Sequence, residues 1–529
     1  PQNIINLFQE ESYWRDLTGL SWNIYTAEGH QQIADFAKHI IEHNAPSKLI
    51  VTEAKEDSDV LECWFTFETS TGRGIGIARI KNGKFWTLLT TLQELIGYEE
   101  KKGRNRARGT EHGVHKNRKN WLEKKHEEEA QLGYSKQPYV LIVGGGQGGI
   151  ALGARLRKLG VPHLVVDKHP NPGDQWRKRY KSLCLHDPVW YDHLPYLPFP
   201  DDWPIFCPKD KIGDWLEAYV KIMEISYWSS AEVVNAAYDE NKKEWAVKIN
   251  RNGDDVMVYP TQLVFALGVS GFPNVPSIPG ADIFKGEQHH SSLHPSGEKY
   301  KGKKVVVIGS NNSAHDICAD LWENDADVTM LQRSSTHIIQ SDTFIDKVLN
   351  GLFSEDALDN GITTDKADLL FASVPYKIVH EAHIPVYNEI QEIDKPFYDS
   401  LRAAGFMLDF GEDGSGLFLK YLRRGSGYYI NVGASELVAN GSIKLKSGTN
   451  IDKIDEGGIL MEDGTYIPAD VIVYATGFGS MTQWVEKLIS KEFADKLGVC
   501  WGLGSNTTRD PGPWVGELRN MWKPTAQEN

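Results

Sequence analysis

A glycine-rich turn between an apolar strand and a helix constrains the fold of this chain more than any other feature. Residues 139–143 read Tyr-Val-Leu-Ile-Val, a short β-branched run that predicts a buried parallel strand. Residues 144–149 follow as G-x-G-x-x-G, and residues 150–159 have helical spacing. Residues 161–166 predict a second strand, with Asp167 at its tip. This order of strand, turn, helix and strand predicts a dinucleotide-binding unit.

Each position of this motif has a physical role toward a dinucleotide. Gly144 makes the tight turn, Gly146 lets backbone N–H groups approach the pyrophosphate, and Gly149 allows close packing of helix on strand. The helix N-terminus faces the anion, and Asp167 can accept a hydrogen bond from a ribose hydroxyl. The alternative is a glycine-rich turn without a ligand. It is disfavoured because the strand, the helix and the spaced acid occur together.

A second unit of the same kind begins near residue 303. Residues 303–308 predict a strand, and residues 309–314 read Gly-Ser-Asn-Asn-Ser-Ala and open the next helix. Asn311 and Ala314 stand where the ideal motif has glycines. Asparagine tolerates left-handed backbone better than most residues, so the turn remains feasible.

The tip of the next strand indicates which nicotinamide cofactor this unit binds. Residues 328–332 predict that strand, and Arg333 and Ser334 follow it. An acid here would bind a ribose 2′-hydroxyl, whereas arginine accommodates a 2′-phosphate. The alternative for Arg333 is a solvated surface arginine. We therefore predict a preference for NADPH over NADH.

Composition excludes several classes of function. The 529 residues suggest two to four domains of roughly 150 residues each. The formal net charge of −15 argues against a nucleic-acid binder. No apolar run approaches the roughly 20 residues of a membrane-spanning helix, and no signal peptide is visible. The five cysteines form no C-x-x-C pair, which argues against a zinc site and a redox dithiol and favours a cytoplasmic location.

The first 136 residues predict a separate small domain and a linker. In residues 1–98, a helical apolar pattern at 30–43 is followed by strand patterns, including a hairpin at Asn82-Gly83. This order resembles the SnoaL/NTF2-like cone, an α+β fold that encloses a pocket or dimerises. We expect a docking or assembly role, with a homodimer as one form of it. Residues 99–136 predict a charged linker with a helix near 121–132.

Several ordered stretches resemble the flavin-containing monooxygenases, which are class B flavoprotein monooxygenases. Residues 173–176, Gly-Asp-Gln-Trp, are similar to the family's G-G-x-W segment against FAD, with aspartate at its second position. Residues 180–188 resemble the segment that passes the isoalloxazine ring, with histidine at position 186 as in the YUCCA-type members. Residues 469–478 resemble the strand D-x-[IV]-[IV]-x-A-T-G-[FY], by which that family returns to its flavin domain.

The most specific stretch resembles the family frame F-x-G-x-x-x-H-x-x-x-[YF]. Phe284, Gly286 and His290 match it, and His294 stands at the last position. Baeyer–Villiger monooxygenases carry the same frame with a terminal tryptophan. The histidine resembles the type II branch, where ketone oxidation and relaxed nicotinamide preference are known.

The resemblance implies an α/β fold with two dinucleotide-binding, Rossmann-like domains after the small α+β domain. We predict the first part of an FAD-binding domain at 137–299 and an NAD(P)-binding domain at 300–448. The latter contains an insertion at about 340–440 that covers the substrate, with residues 425–432 returning to the sheet. The second part of the FAD-binding domain is predicted at 449–529.

The resemblance and the two turns together give the candidate site residues. The catalytic candidates are His186, Asp187 and His290. The cofactor-binding candidates are Gly144, Gly146, Gln147, Gly149, Asp167, Lys168, Gln175, Trp176, His186, Val233, Ala266, Leu267, Gly268, Gly309, Asn311, Asn312, Ser313, Arg333, Ser334, Ala475, Thr476 and Gly477. No metal ligands are predicted.

The implied function is the NAD(P)H- and O₂-dependent oxygenation of a small organic substrate, with FAD and NADP(H) as cofactors. In the family, an oxygen adduct at flavin C4a oxidises nitrogen or sulfur when protonated and attacks a ketone when deprotonated. Imidazole titrates near neutrality, so His186 is either a group that biases this proton or a packing residue. The alternatives are a flavin-dependent NAD(P)H reductase or dehydrogenase without oxygen transfer, and a catalytically silent NTF2-type assembly protein.

Overall fold

Three sheet-based units make up the chain in the computed structural model, which describes residues 3–109, 113–498 and 500–501. The first unit has one mixed sheet, and each of the other two is built on a parallel sheet. Within the described residues, no helix is both long and apolar enough to cross a membrane. The predicted α/β fold with two Rossmann-like units is confirmed.

The N-terminal unit is a six-stranded sheet of order β2-β1-β6-β5-β4-β3 with one helix packed on it. Its elements are β1 Phe8–Leu17, β2 Ile24–Glu28, α1 Gly29–His43, β3 Ser47–Asp57, β4 Val60–Glu68, β5 Gly72–Lys81 and β6 Lys84–Leu95. The predicted helix and the Asn82-Gly83 hairpin are confirmed, and both hairpin residues have positive φ. The sequence patterns did not identify β1, β2 and β3. The linker contains α2 Trp121–Gln131, which begins with a capping box at Asn120.

The second unit is a parallel sheet of order β13-β7-β8-β9 with an antiparallel meander, β10-β11-β12. Its elements are β7 Val140–Val143, α3 Gln147–Leu159, β8 His163–Val166, α4 Asp174–Arg177, α5 Lys209–Ile222, β9 Tyr227–Trp228, β10 Ala231–Asp239, β11 Glu244–Arg251, β12 Asp254–Val258 and β13 Gln262–Phe265. Every residue of β7 and β8 is buried, as expected for central parallel strands.

The third unit is a parallel sheet of order β14-β24-β15-β16-β20, with an antiparallel meander of β21, β22 and β23. Its framework consists of β14 Glu287–His290, β15 Lys304–Ile308, α6 Asn312–Glu323, β16 Asp327–Gln332, β20 Lys444–Ser447, β21 Ile451–Ile454, β22 Gly458–Met461, β23 Tyr466–Pro468 and β24 Val471–Tyr474. The last helices are α14 Thr482–Leu488 and α15 Lys491–Leu497.

The segment between β16 and β20 forms a helical layer around a small parallel sheet of order β18-β17-β19. Its elements are β17 Thr336–Gln340, α7 Ser341–Phe344, α8 Glu355–Asp359, α9 Thr364–Ala372, α10 Tyr376–Ile393, α11 Lys395–Ala403, β18 Leu408–Asp409, α12 Leu417–Arg424, β19 Tyr428–Asn431 and α13 Ala434–Ala439. Residues 425–432 therefore return to this small sheet, and the prediction that they rejoin the main sheet is wrong.

Sheet membership corrects the predicted domain limits. The strand in segment 469–478 pairs with β14 and β15, so it belongs to the second parallel sheet and not to the first. The chain returns to the first parallel unit only afterwards, where α14 packs near β10 and Leu488 joins that unit's core. β14 likewise lies beyond the first sheet, although it falls within the predicted 137–299 domain. Residues 502–529, the end of the last predicted segment, lie outside the described residues.

Candidate functional site

The turn after β7 needs glycines because neighbouring backbone fills the space of a side chain. Gly144 has a φ of 106°, and a Cβ on it would lie 2.4 Å from the carbonyl oxygen of Ala266. A Cβ on Gly149 would lie 1.9 Å from the oxygen of Gly144. A Cβ on Gly146 would meet only the Gln175 side-chain nitrogen, at 3.5 Å. Gly144 and Gly149 are therefore required by packing, whereas Gly146 leaves room in front of the helix.

That room suits the pyrophosphate of FAD. Gly146 caps α3 without a side-chain hydrogen bond, so the first N–H groups of the helix have no side-chain acceptor at the cap. The Nε2 atom of Gln175 is buried and has no hydrogen-bond partner within the described residues. Free N–H groups at a helix N-terminus bind anions, and an unpaired amide donor beside them adds to the site. Gly146, the start of α3 and Gln175 therefore fit the FAD pyrophosphate that the sequence predicts at this turn.

Asp167 fixes the same turn from the tip of β8. Its Oδ2 accepts from the Gly145 N–H at 2.8 Å, and its Oδ1 accepts from the His169 N–H at 2.8 Å. A carboxylate offers about four lone-pair sites, so a ribose hydroxyl can still donate to it. Of the other candidates, Lys168 and Gln147 are exposed near this turn.

Further predicted contacts surround the turn. Val233 lies near the start of β10, and its buried side chain lies in the core, so only its backbone can face a cofactor. Ala266 lies against Gly144, and its N–H donates to the Val143 oxygen at 2.8 Å. The two residues after it continue this loop: Leu267 packs partly against the same core, and Gly268 has positive φ. Trp176, in α4, is half-buried among the residues that pack between α3 and α5.

Asp174, which replaces the second glycine of the G-G-x-W pattern, begins α4 in an ion-pair network. It pairs with Arg177 at 2.9 Å and accepts from the Asn171 N–H at 3.1 Å. Burial opposes ionisation, but these donors outweigh it and lower the pKa of Asp174. Arg177 also pairs with Asp214 and Glu217 of α5. The substitution therefore ties the segment to α5.

The turn after β15 repeats the geometry of the first turn. Gly309 has a φ of 134°, and a Cβ on it would lie 2.4 Å from the Ala475 oxygen. Asn311 caps α6 without a side-chain hydrogen bond to the helix. Its φ is −96°, so the backbone is extended here, and the turn forms without the left-handed conformation that asparagine tolerates. The Asn311 side chain instead accepts from the Thr336 hydroxyl at 3.3 Å, and the small Ala314 is buried where a glycine was expected.

The remaining nicotinamide candidates lie around the same turn. Asn312 and Ser313 form the half-buried start of α6, and Arg333 and Ser334 are exposed directly after β16. Thr476, on the returning segment, donates its hydroxyl hydrogen to the Asn274 carbonyl. A helix start, an exposed arginine and a serine suit the pyrophosphate and 2′-phosphate of NADP(H).

His290 fastens β14 to the segment that leaves the second parallel sheet. Its Nε2 lies 2.8 Å from the Gly477 carbonyl, and its Nδ1 lies 3.2 Å from the Ser292 N–H. A carbonyl only accepts and a backbone N–H only donates, so Nε2 carries the proton and Nδ1 accepts. Burial lowers the pKa of His290, although the bond to Gly477 opposes this shift. The lowered pKa favours the neutral ring. A cleft of about 520 Å³, also lined by Gln288 and Tyr474, adjoins the ring.

His294, at the last position of the frame, is fully buried and faces α6. Its Nε2 lies 3.3 Å from Oδ2 of Asp320, and its Nδ1 lies 3.3 Å from Nε2 of His289. The same Asp320 oxygen accepts from the Gly297 N–H at 2.6 Å. Tyr300 stacks on both histidine rings. His294 is therefore a packing residue that stacks against His289 and Tyr300, and it also forms a hydrogen bond to Asp320 of α6.

The predicted isoalloxazine segment contacts α6 and β19. The Tyr180 hydroxyl donates to Asp316 of α6 at 2.5 Å, and burial raises the pKa of Asp316 against the effect of that bond. His186 lies edge-on to Tyr428 of β19 with ring centroids 6.1 Å apart. The Nε2 atom of His186 is 3.8 Å from Oδ2 of Asp187. Asp316 and Tyr428 were not predicted, because residues 340–440 carry no motif and Asp316 looks like an ordinary helix residue.

The structure thus brings the candidates into two groups joined at the crossing between the parallel units. Gly144 and Asp167 lie at the first turn, Gly309 lies at the second, and His290 binds to Gly477 between the two units. No group of three or more histidine, cysteine or acidic side chains suited to a metal occurs within the described residues. All five cysteines are free thiols.

Comparison with known proteins identifies relatives of this region. Residues 141–411, just over half of the chain, match the family described as pyridine nucleotide-disulphide oxidoreductase. A probable indole-3-pyruvate monooxygenase, YUCCA10 of Arabidopsis thaliana, is 28% identical over 66% of this chain and 83% of its own. Indole-3-pyruvate monooxygenase YUCCA1 of rice, Oryza sativa subsp. japonica, is 29% identical over 66% of this chain and 79% of its own.

Solved structures resemble the chain in fold. Cyclohexanone monooxygenase with bound ε-caprolactone has a TM-score of 0.51 at 20% identity, covering 66% of this chain and 76% of that one. Cyclohexanone monooxygenase from Rhodococcus sp. Phi1, bound to NADP⁺, has a TM-score of 0.50 at 20% identity, covering 66% of this chain and 73% of that one.

Proposed function

Because the chain belongs to the pyridine nucleotide-disulphide oxidoreductase family, we propose that it is an FAD-dependent monooxygenase that uses NADPH and O₂. It transfers one oxygen atom to a small organic substrate, by N- or S-oxygenation or by Baeyer–Villiger oxidation. The balanced reaction consumes substrate, O₂, NADPH and a proton, and it yields oxygenated product, NADP⁺ and water.

The observation that carries this proposal is the repeated glycine turn. A Cβ on Gly144 or on Gly309 would lie 2.4 Å from the carbonyl of an alanine on a neighbouring segment, and each turn opens a helix without a side-chain cap. Two such turns, each at the carboxyl end of a parallel strand, suit two dinucleotides. FAD takes the first turn, beside Gln175, and NADP(H) takes the second, beside Arg333.

The cysteines distinguish this chain from the disulfide reductases of the same family. Those enzymes need a pair of cysteines beside the flavin. The predicted flavin-facing segment contains one cysteine, Cys184, which is a free thiol. Partial burial of the sulfur, and then the charge of Asp316, raise the pKa of this thiol. A raised pKa disfavours the reactive thiolate. Electron transfer to a thiol pair is therefore not the favoured chemistry.

Bound FAD would supply the redox step, accepting hydride from NADPH and delivering electrons to O₂. The chain's residues supply position and hydrogen bonds. Neutral His290 holds β14 against Gly477, so it fixes the crossing between the two cofactor units. Arg333 provides the guanidinium for the 2′-phosphate, and His186 lies on the predicted isoalloxazine segment, where an imidazole can exchange a proton with the reacting group.

Oxygen labelling tests the proposal against the reductase alternative. Purified enzyme with NADPH and ¹⁸O₂ is given sulfides, amines, ketones and 2-oxo acids, and products are analysed by mass spectrometry. A monooxygenase incorporates a single ¹⁸O atom, and the reacting group distinguishes N- or S-oxygenation from ester formation. NADPH oxidation with an artificial acceptor, without label in any product, would support the reductase.

The His290→Ala variant tests the positioning role in the same assay. We expect FAD to be retained, because the ring contacts Gly477 and Ser292 and not the first glycine turn. Product formation should slow, and a larger share of NADPH should end as hydrogen peroxide. Unchanged coupling would refute the role.

The N-terminal unit carries a further part of the proposal. We assign residues 1–98 as a SnoaL/NTF2-like docking or assembly domain, supported by the helix packed on a six-stranded sheet. A homodimer and a cytoplasmic location belong to the same proposal. Light scattering of the purified chain tests the dimer.

A further inference from the structure

Helix α9 presents two opposite faces to two different parts of the chain. At 3.6 residues per turn, Thr364 and Asp368 lie on one face, because residues four apart in a helix are neighbours. Lys366, Leu369 and Leu370 lie on the opposite face, about half a turn around the helix axis. What each face contacts therefore decides what this helix can connect.

The first face of α9 contacts the loop 189–193, which directly follows the predicted isoalloxazine segment. The Thr364 hydroxyl donates to the Trp190 carbonyl at 3.3 Å. Nε2 of His193 donates to Oδ2 of Asp368 at 3.1 Å. The loop is thus attached to α9 near its beginning and at its end.

The ion pair with Asp368 favours the charged form of His193. The hydrogen bond between them is the largest effect that raises the pKa of His193, and burial of the ring opposes it. Asp365 of α9 and Asp192 of the loop also act on this imidazole, through their charges. Three carboxylates therefore lie near one cation, and Asp368 is the one that forms the hydrogen bond.

The opposite face of α9 contacts the N-terminal unit. Leu369 and Leu370 pack against a buried cluster of the six-stranded sheet that contains Trp64. Beside this apolar contact, Lys366 pairs with Glu53 of β3 at 2.6 Å. The N-terminal unit therefore restrains α9 from the side opposite the loop.

We propose that α9 transmits the position of the N-terminal unit to the loop 189–193, with Asp368 as the positioning residue on the loop side. The inference rests on the proposed function, in which the segment before this loop passes the isoalloxazine ring. Both faces of the helix are in contact, so a shift at one face moves the side chains on the other. A displaced loop wastes NADPH, because two electrons and two protons then convert O₂ into hydrogen peroxide.

Hydrogen–deuterium exchange of the purified full-length holoprotein tests the loop side without turnover. The side chains of His193 and Asp368 are 29% and 49% exposed, so Asp368→Ala should raise amide exchange in the loop by about two- to fivefold. Asp368→Asn keeps an acceptor for the imidazole and should stay within about twofold of wild type. Asp359→Ala, at an exposed residue of α8, is the matched control and should leave loop exchange unchanged.

Trp64→Ala tests the transmission from the other face. It removes the packing of the sheet against Leu369 and Leu370, across the helix from the loop. We expect loop exchange to rise about twofold or more, the visible circular dichroism of the bound flavin to change, and the peroxide share of NADPH oxidation to increase. Trp86→Ala is the matched control, because this tryptophan lies outside the cluster.

Two results would overturn the inference. One is equal loop exchange in Trp64→Ala and Trp86→Ala. The other is raised loop exchange with unchanged flavin circular dichroism and an unchanged peroxide share, since the contacts would then serve stability alone. Leu369→Ala removes the same packing from α9 and replaces Trp64→Ala if that variant does not fold. Amide exchange needs no oxygen transfer, and ¹⁸O incorporation by the wild type reports separately on the proposed function.

Discussion

Two glycines of one motif should respond in opposite ways when a side chain is added. Gly146 has a φ of −77°, and a Cβ on it would have only the Gln175 amide within 4 Å, so a valine fits the protein but occupies the pyrophosphate space. In Gly149→Val the Cβ would lie 1.9 Å from backbone, so the fold itself must shift. We expect Gly146→Val to be folded and colourless, and Gly149→Val to be largely insoluble. Absorbance at the flavin band measures the FAD content of each variant, and circular dichroism measures its folding.

A folded Gly146→Val protein with one flavin per chain would contradict the assignment of FAD to the first turn. Gly148→Ala is the matched control, because a Cβ there has nothing within 4 Å and its helix surface is exposed. That variant should keep both its fold and its colour.

Arg333 should determine the choice between the two nicotinamide cofactors. It is exposed after β16, with no acid at the equivalent tip position, and a guanidinium matches a phosphate as a planar fork. A charge-assisted contact contributes about 1.5–3 kcal/mol, which corresponds to roughly ten- to a hundredfold in affinity. Arg333→Ala should therefore raise KM for NADPH by about that factor and leave KM for NADH nearly unchanged. An equal rise for both cofactors would show that the residue is structural.

At the scale of single residues, the sequence predicted those side chains whose role follows from local backbone. Gly144 and Gly309 could be predicted because a tight turn after a parallel strand leaves few alternatives. Asn311 was accepted in the turn because asparagine tolerates left-handed backbone, but the turn uses extended backbone there, with a side-chain hydrogen bond from Thr336. Tyr428 could not be predicted, since its place depends on how a motif-free segment folds back onto α6.

At the scale of elements, the loop after β14 is held to α6 by Asp320. This carboxylate is 4% exposed and accepts from both His294 and the Gly297 N–H. Asp320→Ala leaves two buried donors unpaired, which costs about 1–3 kcal/mol for each group. We expect the free energy of unfolding to fall by that order and the peroxide share of NADPH oxidation to rise, because the frame that contains His290 loses its support.

Urea unfolding and a peroxide assay measure both effects. Glu323→Ala is the control, since that exposed acid lies at the end of the same helix. A loss of stability in Asp320→Ala with an unchanged share of NADPH oxidation ending as peroxide would show that Asp320 stabilises the fold and does not influence His290 between the two cofactor units.

Local patterns located most strands of the two parallel sheets but not the sheet to which each belongs. β7, β8, β15 and β16 were predicted within two residues of their observed limits, because buried parallel strands have apolar sequences. β24 was assigned to the first parallel unit, yet it pairs with β14 and β15. The sheet that a strand joins depends on pairing with residues distant in sequence. The pattern of apolar residues within the strand does not specify that pairing.

At the scale of the whole molecule, the N-terminal sheet packs on the same segment that supplies Tyr428. Trp64, Ile77 and Leu89 form a buried cluster with Leu369 and Leu370 of α9. Polar contacts surround that cluster. Arg79 donates to the Ser373 hydroxyl at 2.7 Å, Arg15 donates to the Ala372 carbonyl at 2.8 Å, and Lys366 pairs with Glu53 at 2.6 Å. The small domain thus supports the helical layer between β16 and β20.

Trp64→Ala should separate the unfolding of the N-terminal unit from that of the rest. Removing a buried tryptophan from a core contact costs about 3 kcal/mol or more, and here the loss falls on the interface with α9. Calorimetry of the wild-type chain should show these units unfolding together, whereas Trp64→Ala should show an earlier, separate transition with FAD content unchanged. Trp86→Ala is the matched control, because this tryptophan of β6 packs under Lys81 and lies outside that cluster. An identical shift in both variants would show that Trp64 stabilises its own sheet and does not couple it to α9.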